Sequence, residues 1–329
     1  MYFALTPEQR ARQDELRALL DERMPVSAVR ELMADPVGDD PYLWPEVARL
    51  AGPSDPAEIG AALEVMGERL YIGPYLSTVM ARALLPDAGD RVAVAAADAS
   101  GTLTAAGVTV SAGGRVSGSK SFVLDGMTAD RLLIFGMRDG LACVVEVEAN
   151  AVGLTRVPTP ALDQTRKLAR VELKDVPGKV LVLDGDAALD TLRRIAHAAV
   201  AAEQVGCAQG ALDVALAYAL RRQQFGRVIG SYQSVKHRFA EIVLLVEQAR
   251  AAAYHALLTL THGAVSHARI LSTQAALESS EWCMQVQGGQ GFRWDNVAHL
   301  YLKRAKATQL LFGDPARERE RIAELLELT

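Results

Sequence analysis

Two stretches of this sequence carry residue types able to bind an anion. The first runs Arg221-Arg222-Gln223-Gln224-Phe225-Gly226-Arg227-Val228-Ile229-Gly230-Ser231-Tyr232-Gln233 and joins guanidinium groups to an aromatic ring, glycines and an amide. The second, Gln285-Val286-Gln287-Gly288-Gly289-Gln290-Gly291-Phe292, is a glycine-rich break between helical patterns that exposes backbone N–H groups. Arginine offers bidentate charge-assisted bonds, glycine permits close backbone approach, and glutamine bonds ribose or adenine edges, so together they could hold a pyrophosphate. The same residues also make two ordinary interhelical turns with a surface arginine, and the spacing leaves both readings open. Elsewhere the sequence has no Walker A loop, no GxGxxG after a strand, no GxSxG elbow and no HExxH. Of the six histidines, His255, His262 and His267 come nearest to a ligand set. His255 and His262 have the spacing to share a helical face, but a solvated polar face is the better reading, and no metal is assigned.

The elements that must position these stretches are read from caps and periodicity. Thr6-Pro7-Glu8-Gln9 has the form of a capping box with proline at the first helical position, and it predicts a helix at 6–23. Shorter helices are expected at 26–34, 42–51, 55–70 and 74–85, separated by signals such as Gly52-Pro53 and Gly73-Pro74. From Arg91 the pattern changes to short apolar or alternating runs: VAVAAA, TLTAAGVTV, GRVSGSKSFVLDG, RLLIFG, LACVVEV and ARVELKDV. These imply a small antiparallel β unit. Long helices follow near 186–222, 231–262, 264–287 and 296–311, with an amphipathic one at 315–328. The Ala-rich run 195–212 is apolar on nearly every side and should be buried among helices or in a subunit interface. The expected fold class is α+β: a shortened N-terminal helical domain (1–87), a β domain (88–180) and a C-terminal helical bundle (181–329), packed as one body.

Composition narrows the partners. The 329 residues are half hydrophobic and carry a net charge of −5 without a tight basic block, which argues against nucleic acid. Three cysteines without CxxC spacing argue against a disulfide framework or structural zinc and fit a reducing compartment. The N-terminus turns polar after five residues and no uncharged run reaches the roughly 18 residues of a membrane span, so the expectation is a cytoplasmic protein with no membrane partner. Abundant alanine with only 5% aromatics excludes an all-β architecture.

At these residues the sequence resembles the acyl-CoA dehydrogenase family. The R-x-x-F-G-x-x-I-x-x-x-Q run at Arg222 to Gln233 and the Q-x-x-G-G-x-G-F run at Gln285 to Phe292 look like its two C-terminal signatures, and G-x-K at Gly118 to Lys120 matches its β domain. The resemblance implies FAD, with the C-terminal segments of one subunit holding the ADP half of a cofactor whose flavin lies in the neighbour. Carried over, Arg222 would bind pyrophosphate, Phe225 would pack near the adenine side, Gln233 would hydrogen-bond the cofactor, and Gln285, Gly288 and Gly289 would line the same cradle. The family reaction removes the α proton of an acyl-CoA thioester with a glutamate while the β hydrogen leaves as hydride to flavin N5.

That glutamate is missing from both of its usual places. The short loop after the last bundle helix reads Leu311-Phe312-Gly313-Asp314, with Phe312 at the base position, and the alternative position on the helix leading into Gly206-Cys207-Ala208-Gln209 is Ala196. Glu203 lies on about the same helical face as Ala196 but about 10 Å further along, at about 1.5 Å per residue. In an apolar stretch its pKa would rise unless it were paired, which suits either a base or a structural ion pair, the latter being favoured. Asp314 reads as a helix N-cap. The flavin-wrapping loop of the family is replaced by Val92 to Ser100, and its W-I-T/S strand by Phe122-Val123-Leu124. The chain is also shorter than a usual member, with the deficit where the acyl pocket forms.

The expectation is therefore a non-catalytic subunit of an α2β2 heterotetramer, whose catalytic acyl-CoA dehydrogenase subunit supplies glutamate and flavin loops. The pattern resembles actinobacterial enzymes acting on steroid side-chain CoA thioesters, with electron-transfer flavoprotein as the further partner the resemblance implies. The rivals are a self-sufficient homo-oligomeric enzyme using Glu203, and a structural or CoA-binding member of the fold without redox chemistry.

Overall fold

The computed structural model describes residues 4–52, 55–182 and 184–328. The opening residues of the N-terminal reading and Pro53 of the Gly52-Pro53 signal lie outside them.

Helix α1 (Pro7–Arg23) begins with the expected box, the Thr6 side chain accepting from the Gln9 N–H and the Gln9 side chain accepting from the Thr6 N–H. It is followed by α2 (Val26–Ala34), α3 (Trp44–Ala51), α4 (Pro56–Glu68) and α5 (Tyr75–Leu84), each inside its expected span. The strands are β1 (Val92–Ala95), β2 (Val108–Val110), β3 (Arg115–Leu124), β4 (Arg131–Arg138), β5 (Leu141–Glu148), β6 (Leu154–Pro158), β7 (Leu168–Pro177) and β8 (Lys179–Val182). Among the described residues they form one sheet in the order β6-β7-β3-β2-β4-β5-β8, with β1 also paired to β4.

Two of the pairings correct the antiparallel expectation, because β1 and β2 both run parallel to β4. Parallel neighbours need a long crossover, and the chain between β1 and β4 supplies one. The run TLTAAGVTV is also mostly not strand. Its first part folds around Asp98, whose Oδ1 accepts from the N–H groups of Ser100 (2.8 Å) and Thr102 (3.1 Å), and only Val108–Val110 joins the ladder.

The C-terminal helices are α6 (Gly185–Arg221), α7 (Gln233–Thr259), α8 (His262–Gln287), α9 (Ala298–Leu310) and α10 (Pro315–Leu325). Asp314 caps α10 by accepting from the Ala316 N–H, and Pro315 occupies the first turn. The Ala-rich part of α6 is buried as expected, continuously from Ile195 to Ala208. Glycine is required where α6 meets α4: a Cβ on Gly206 would stand 1.8 Å from the Glu64 carbonyl oxygen, and one on Gly67 2.1 Å from that of Glu203. The two backbones touch there, which closes the space between the N-terminal helices and the bundle.

One apolar core runs through both helical parts and one face of the sheet, and a smaller one fills the other face. His255 and His262 do not share a helical face, since the chain breaks at Leu260 in a left-handed turn and His262 opens the next helix. Among the described residues no helix is long and apolar enough to cross a membrane.

Candidate functional site

The two motif-bearing segments lie at one end of the bundle. Helices α6, α7 and α8 alternate in direction, so the exit from α6, the entry to α7 and the exit from α8 meet. The Phe239 and Trp282 rings pack edge to face at 5.9 Å and Arg238 bonds Glu278 at 2.8 Å, pinning the start of α7 to the last turns of α8. Among the described residues no hydrogen bond joins the two segments directly.

Beyond Arg222 the chain forms a two-residue hairpin, β9 (Gln223–Gln224) against β10 (Arg227–Val228), turned by Phe225 and Gly226 with φ of 51° and 81°. Two successive left-handed residues make the turn whose twist matches a hairpin. The hairpin is braced by Tyr232, whose ring lies 4.0 Å from the Arg227 guanidinium and whose hydroxyl donates to the Gln224 carbonyl at 2.9 Å. Its tip is Phe225, a non-glycine residue in a conformation costing roughly 1–2 kcal/mol, and its ring is 95% exposed.

Arg222, Gln233 and Gln285 are exposed, and among the described residues their side chains make no hydrogen bond or ion pair. Gly288 has φ of +57°, and a side chain there or at Gly289 would meet nothing within 4 Å, so the turn opens outward. One sequence expectation is corrected: the Gly288 N–H is not free, because it donates to the Gln285 carbonyl and caps α8. This donor set fits the pyrophosphate of a dinucleotide. It comprises one uncommitted guanidinium, two uncommitted amides and a glycine turn open on its outer side.

The interior is arranged differently. Phe312, the residue that the resemblance sets at the base position, is buried with φ of +65°, and its carbonyl accepts from His197 Nε2 at 3.1 Å. His197 Nδ1 faces Glu318 at 3.3 Å, and Glu318 also accepts from the Ser266 hydroxyl at 2.5 Å. Burial alone would raise the Glu318 pKa, but the His197 and Ser266 bonds and the His197 charge bring it to about 2. Arg269, 1% exposed, donates to the carbonyls of Thr308, Gln309 and Leu311, each at 3.2 Å, and to Gln204 at 2.7 Å, which fixes the end of α9. Ala196 is wholly buried.

Glu203 is buried between two arginines. Arg166 Nη2 contacts its two carboxylate oxygens at 2.8 and 2.7 Å, and Arg304 makes a short bond to Oε1. Arg304 also binds Asp163 at 2.8 Å, the Thr165 hydroxyl at 2.7 Å and the Thr165 carbonyl at 3.0 Å. Burial pushes the Glu203 pKa up, and the charges and bonds of Arg166 and Arg304 more than offset it, leaving it below the ordinary value. A carboxylate held as an anion between two guanidinium groups is a poor proton acceptor. The cavity bordered by Glu203, Arg166, Arg304, Tyr71 and Asp125 measures about 20 Å3, room for roughly one water. Sequence reading missed Asp163, Thr165, Arg166 and Arg304; the available signal was the D-x-T-R run, whose Asp163 Oδ1 accepts from the Thr165 N–H at 2.9 Å.

In the sheet, Lys120 of the G-x-K run has zero exposure and donates to the carbonyls of Ala96 (3.4 Å), Thr104 (2.5 Å) and Ala106 (2.8 Å). Burial lowers its pKa to about 8. It thereby ties down the segment that follows β1. Phe122 sits in a bulge of β3 with φ of +52° and packs on the main core.

Helices, a central sheet and a helical bundle in this order make the acyl-CoA dehydrogenase fold. The chain overlays one chain of the crystal structure of the ChsE4-ChsE5 complex from Mycobacterium tuberculosis with a TM-score of 0.89 at 23% identity, covering 100% of this chain and 100% of that one. It overlays the steroid ACAD Tcur3481-Tcur3483, solved as a variant, with a TM-score of 0.87 at 23% identity, covering 97% and 98%. Residues 189–326 match the family model described as acyl-CoA dehydrogenase, C-terminal domain. The chain is 30% identical over 332 residues to acyl-CoA dehydrogenase IpdE2 of Mycolicibacterium smegmatis, covering 97% of this chain and 98% of that one. The likeness to IpdE2 of Mycobacterium tuberculosis is also 30%, over 334 residues and 94% of each chain. The chain belongs to the acyl-CoA dehydrogenase family, whose members use FAD.

Proposed function

We propose that this chain is the non-catalytic subunit of a heteromeric, FAD-dependent acyl-CoA dehydrogenase that desaturates the α,β bond of an acyl-CoA thioester, most suitably a bulky steroid side-chain thioester. The observation that carries this reading is a contrast within one chain. Phe312 and Ala196 stand at the two places that the resemblance assigns to the base and Glu203 is committed to Arg166 and Arg304, while Arg222, Gln233 and Gln285 stand exposed and, among the described residues, unbonded at the bundle end.

Arg222 would bind the pyrophosphate of an FAD shared with the partner, with Gln233 and Gln285 bonding the nucleotide and Gly288 and Gly289 leaving room for it. Phe225, 95% exposed on a strained turn, gains a burial surface against the adenine side. FAD when bound supplies the acceptor for the β hydride; the partner subunit supplies the glutamate and the flavin loops. What this chain's residues do is bind and orient. Support for a heteromeric steroid enzyme comes from the relatives, one a complex of ChsE4 with ChsE5 and another a steroid ACAD. Electron-transfer flavoprotein is the electron acceptor this reading assigns to the complex.

Purifying the chain alone and again with its catalytic partner, then recording flavin absorbance and acyl-CoA-dependent dye reduction, tests the reading. Colourless, inactive protein alone and yellow, active complex are expected. A yellow chain that reduces dye alone overturns the proposal in favour of a self-sufficient enzyme. A chain that joins no partner and binds no flavin overturns it in favour of a structural or CoA-binding role.

A further inference from the structure

The turn carrying Gly288 and Gly289 has no side chains of its own to hold its shape, and what fixes it lies at its base. Gln287, the buried last residue of α8, uses both ends of its amide. Its Nε2 donates to the Cys283 carbonyl at 3.2 Å, and its Oε1 accepts from Asn296 Nδ2 at 2.7 Å. Asn296 in turn accepts the Ala298 N–H on Oδ1 at 2.8 Å, which starts α9, and its carbonyl accepts from Arg30 Nη2 of α2 at 2.9 Å. Within the loop, the Trp294 ring stacks on His299 at 5.2 Å, with the Arg30 guanidinium 5.7 Å and the Lys303 ammonium 4.8 Å from its centroid. Residues 288–295 are thus an outward loop closed at the neck by one amide–amide bond and braced from the N-terminal helices.

We propose that Gln287 and Asn296 are positioning residues of the nucleotide-binding face, their mutual bond holding the Gly288-Gly289 turn in the open shape that admits the pyrophosphate of a shared FAD. The inference rests on the reading given under Proposed function. A neck bond preorganises the loop, so the ligand meets a formed surface instead of ordering eight residues as it binds. Gln287 suits this place because its amide presents a donor to a carbonyl of its own helix and an acceptor to the amide across the loop at once.

The test uses the complex purified with its catalytic partner, stripped of FAD and titrated with FAD by flavin fluorescence. Gln287→Leu removes both bonds. Asn296→Ser keeps an oxygen for the Ala298 N–H but is too short to reach Gln287. Each variant is expected to weaken FAD binding about tenfold, the scale of one lost hydrogen bond, with the assembly unchanged on size exclusion. The double variant should be no worse than the weaker single, because both remove the same bond. A bond serving only the fold lowers Tm and leaves the FAD Kd untouched, and that result overturns the proposal. Should Gln287→Leu fail to assemble, Asn296→Ser decides alone. Arg222→Ala in the same assay separates the two levels. If it weakens FAD while both loop variants do not, the positioning proposal alone fails; if it too has no effect, the reading of the face fails with it.

Discussion

Replacing Glu203 by glutamine distinguishes a structural carboxylate from a catalytic one, because the two roles predict opposite losses. Glu203→Gln keeps shape and removes one negative charge from a cluster in which Arg304 and Arg166 have side chains 2% and 9% exposed. Asp163 then remains as the anion beside Arg304, and Arg166 loses its carboxylate. Removing one member of a buried ion pair costs about 3–5 kcal/mol, which at about 2 °C per kcal/mol for a large cooperative unit lowers Tm by roughly 6–10 °C. The pH dependence has a definite sign. The folded pKa of Glu203 lies below its unfolded value, so its contribution is present above about pH 4.3 and is lost as pH falls through the folded pKa. The wild type should therefore lose stability in acid more steeply than the variant. Differential scanning calorimetry between pH 3.5 and 8, with dye-reduction assays of the assembled complex, reads both quantities. A variant that melts like the wild type but loses turnover by about 100-fold or more, the scale of a missing general base, refutes the structural assignment.

Other outcomes follow from the same interior. Asp125, within 2.7 Å of the Ser77 hydroxyl, has its pKa raised by burial to about 7. Stability from its protonated form is fully present below about pH 3.9 and is lost as pH rises through about 7, so Asp125→Asn should melt above the wild type at pH 8 and lack that slope. Arg269→Met removes the donor to three carbonyls at the end of α9 and to Gln204. About 2–4 kcal/mol of stability should be lost, with faster amide exchange across 308–313 by mass spectrometry. Lys120→Met leaves the carbonyls of Ala96, Thr104 and Ala106 without their donor, and protease cleavage should rise selectively in the 96–106 segment.

Elements with local chemistry were legible in the sequence. The Thr6–Gln9 box, the Asp314-Pro315 cap and the unbroken Ala run of α6 each state their conformation within a few residues, and each is present. Strands β6 and β8 went unread because LTRVP and KVLV are short runs without an alternating apolar face. The parallel pairing of β1 and β2 with β4 was illegible for another reason: pairing partners are chosen by the tertiary crossover, and nothing in VAVA specifies direction. At the proposed nucleotide face, residue types pointed to the two segments and the family resemblance to Arg222, Gln233 and Gln285 within them, three exposed side chains that are uncommitted among the described residues. The interior network could not be assembled from spacing, because Arg166 and Arg304 stand 37 and 101 positions from Glu203. Only the packing of the loop before β7 against α6 and α9 brings them together. The Gln287–Asn296 bond escaped notice because both residues look like ordinary loop amides until the turn closes.

The central claim is that this chain contributes cofactor contacts to a site whose base lies elsewhere, and FAD affinity of the assembled complex with Arg222→Ala in this chain alone tests it most directly. Loss of a charge-assisted contact of about 1.5–3 kcal/mol predicts FAD binding weaker by roughly 10- to 150-fold, with assembly intact and turnover restored at saturating FAD. Unchanged FAD affinity in that complex would contradict the account.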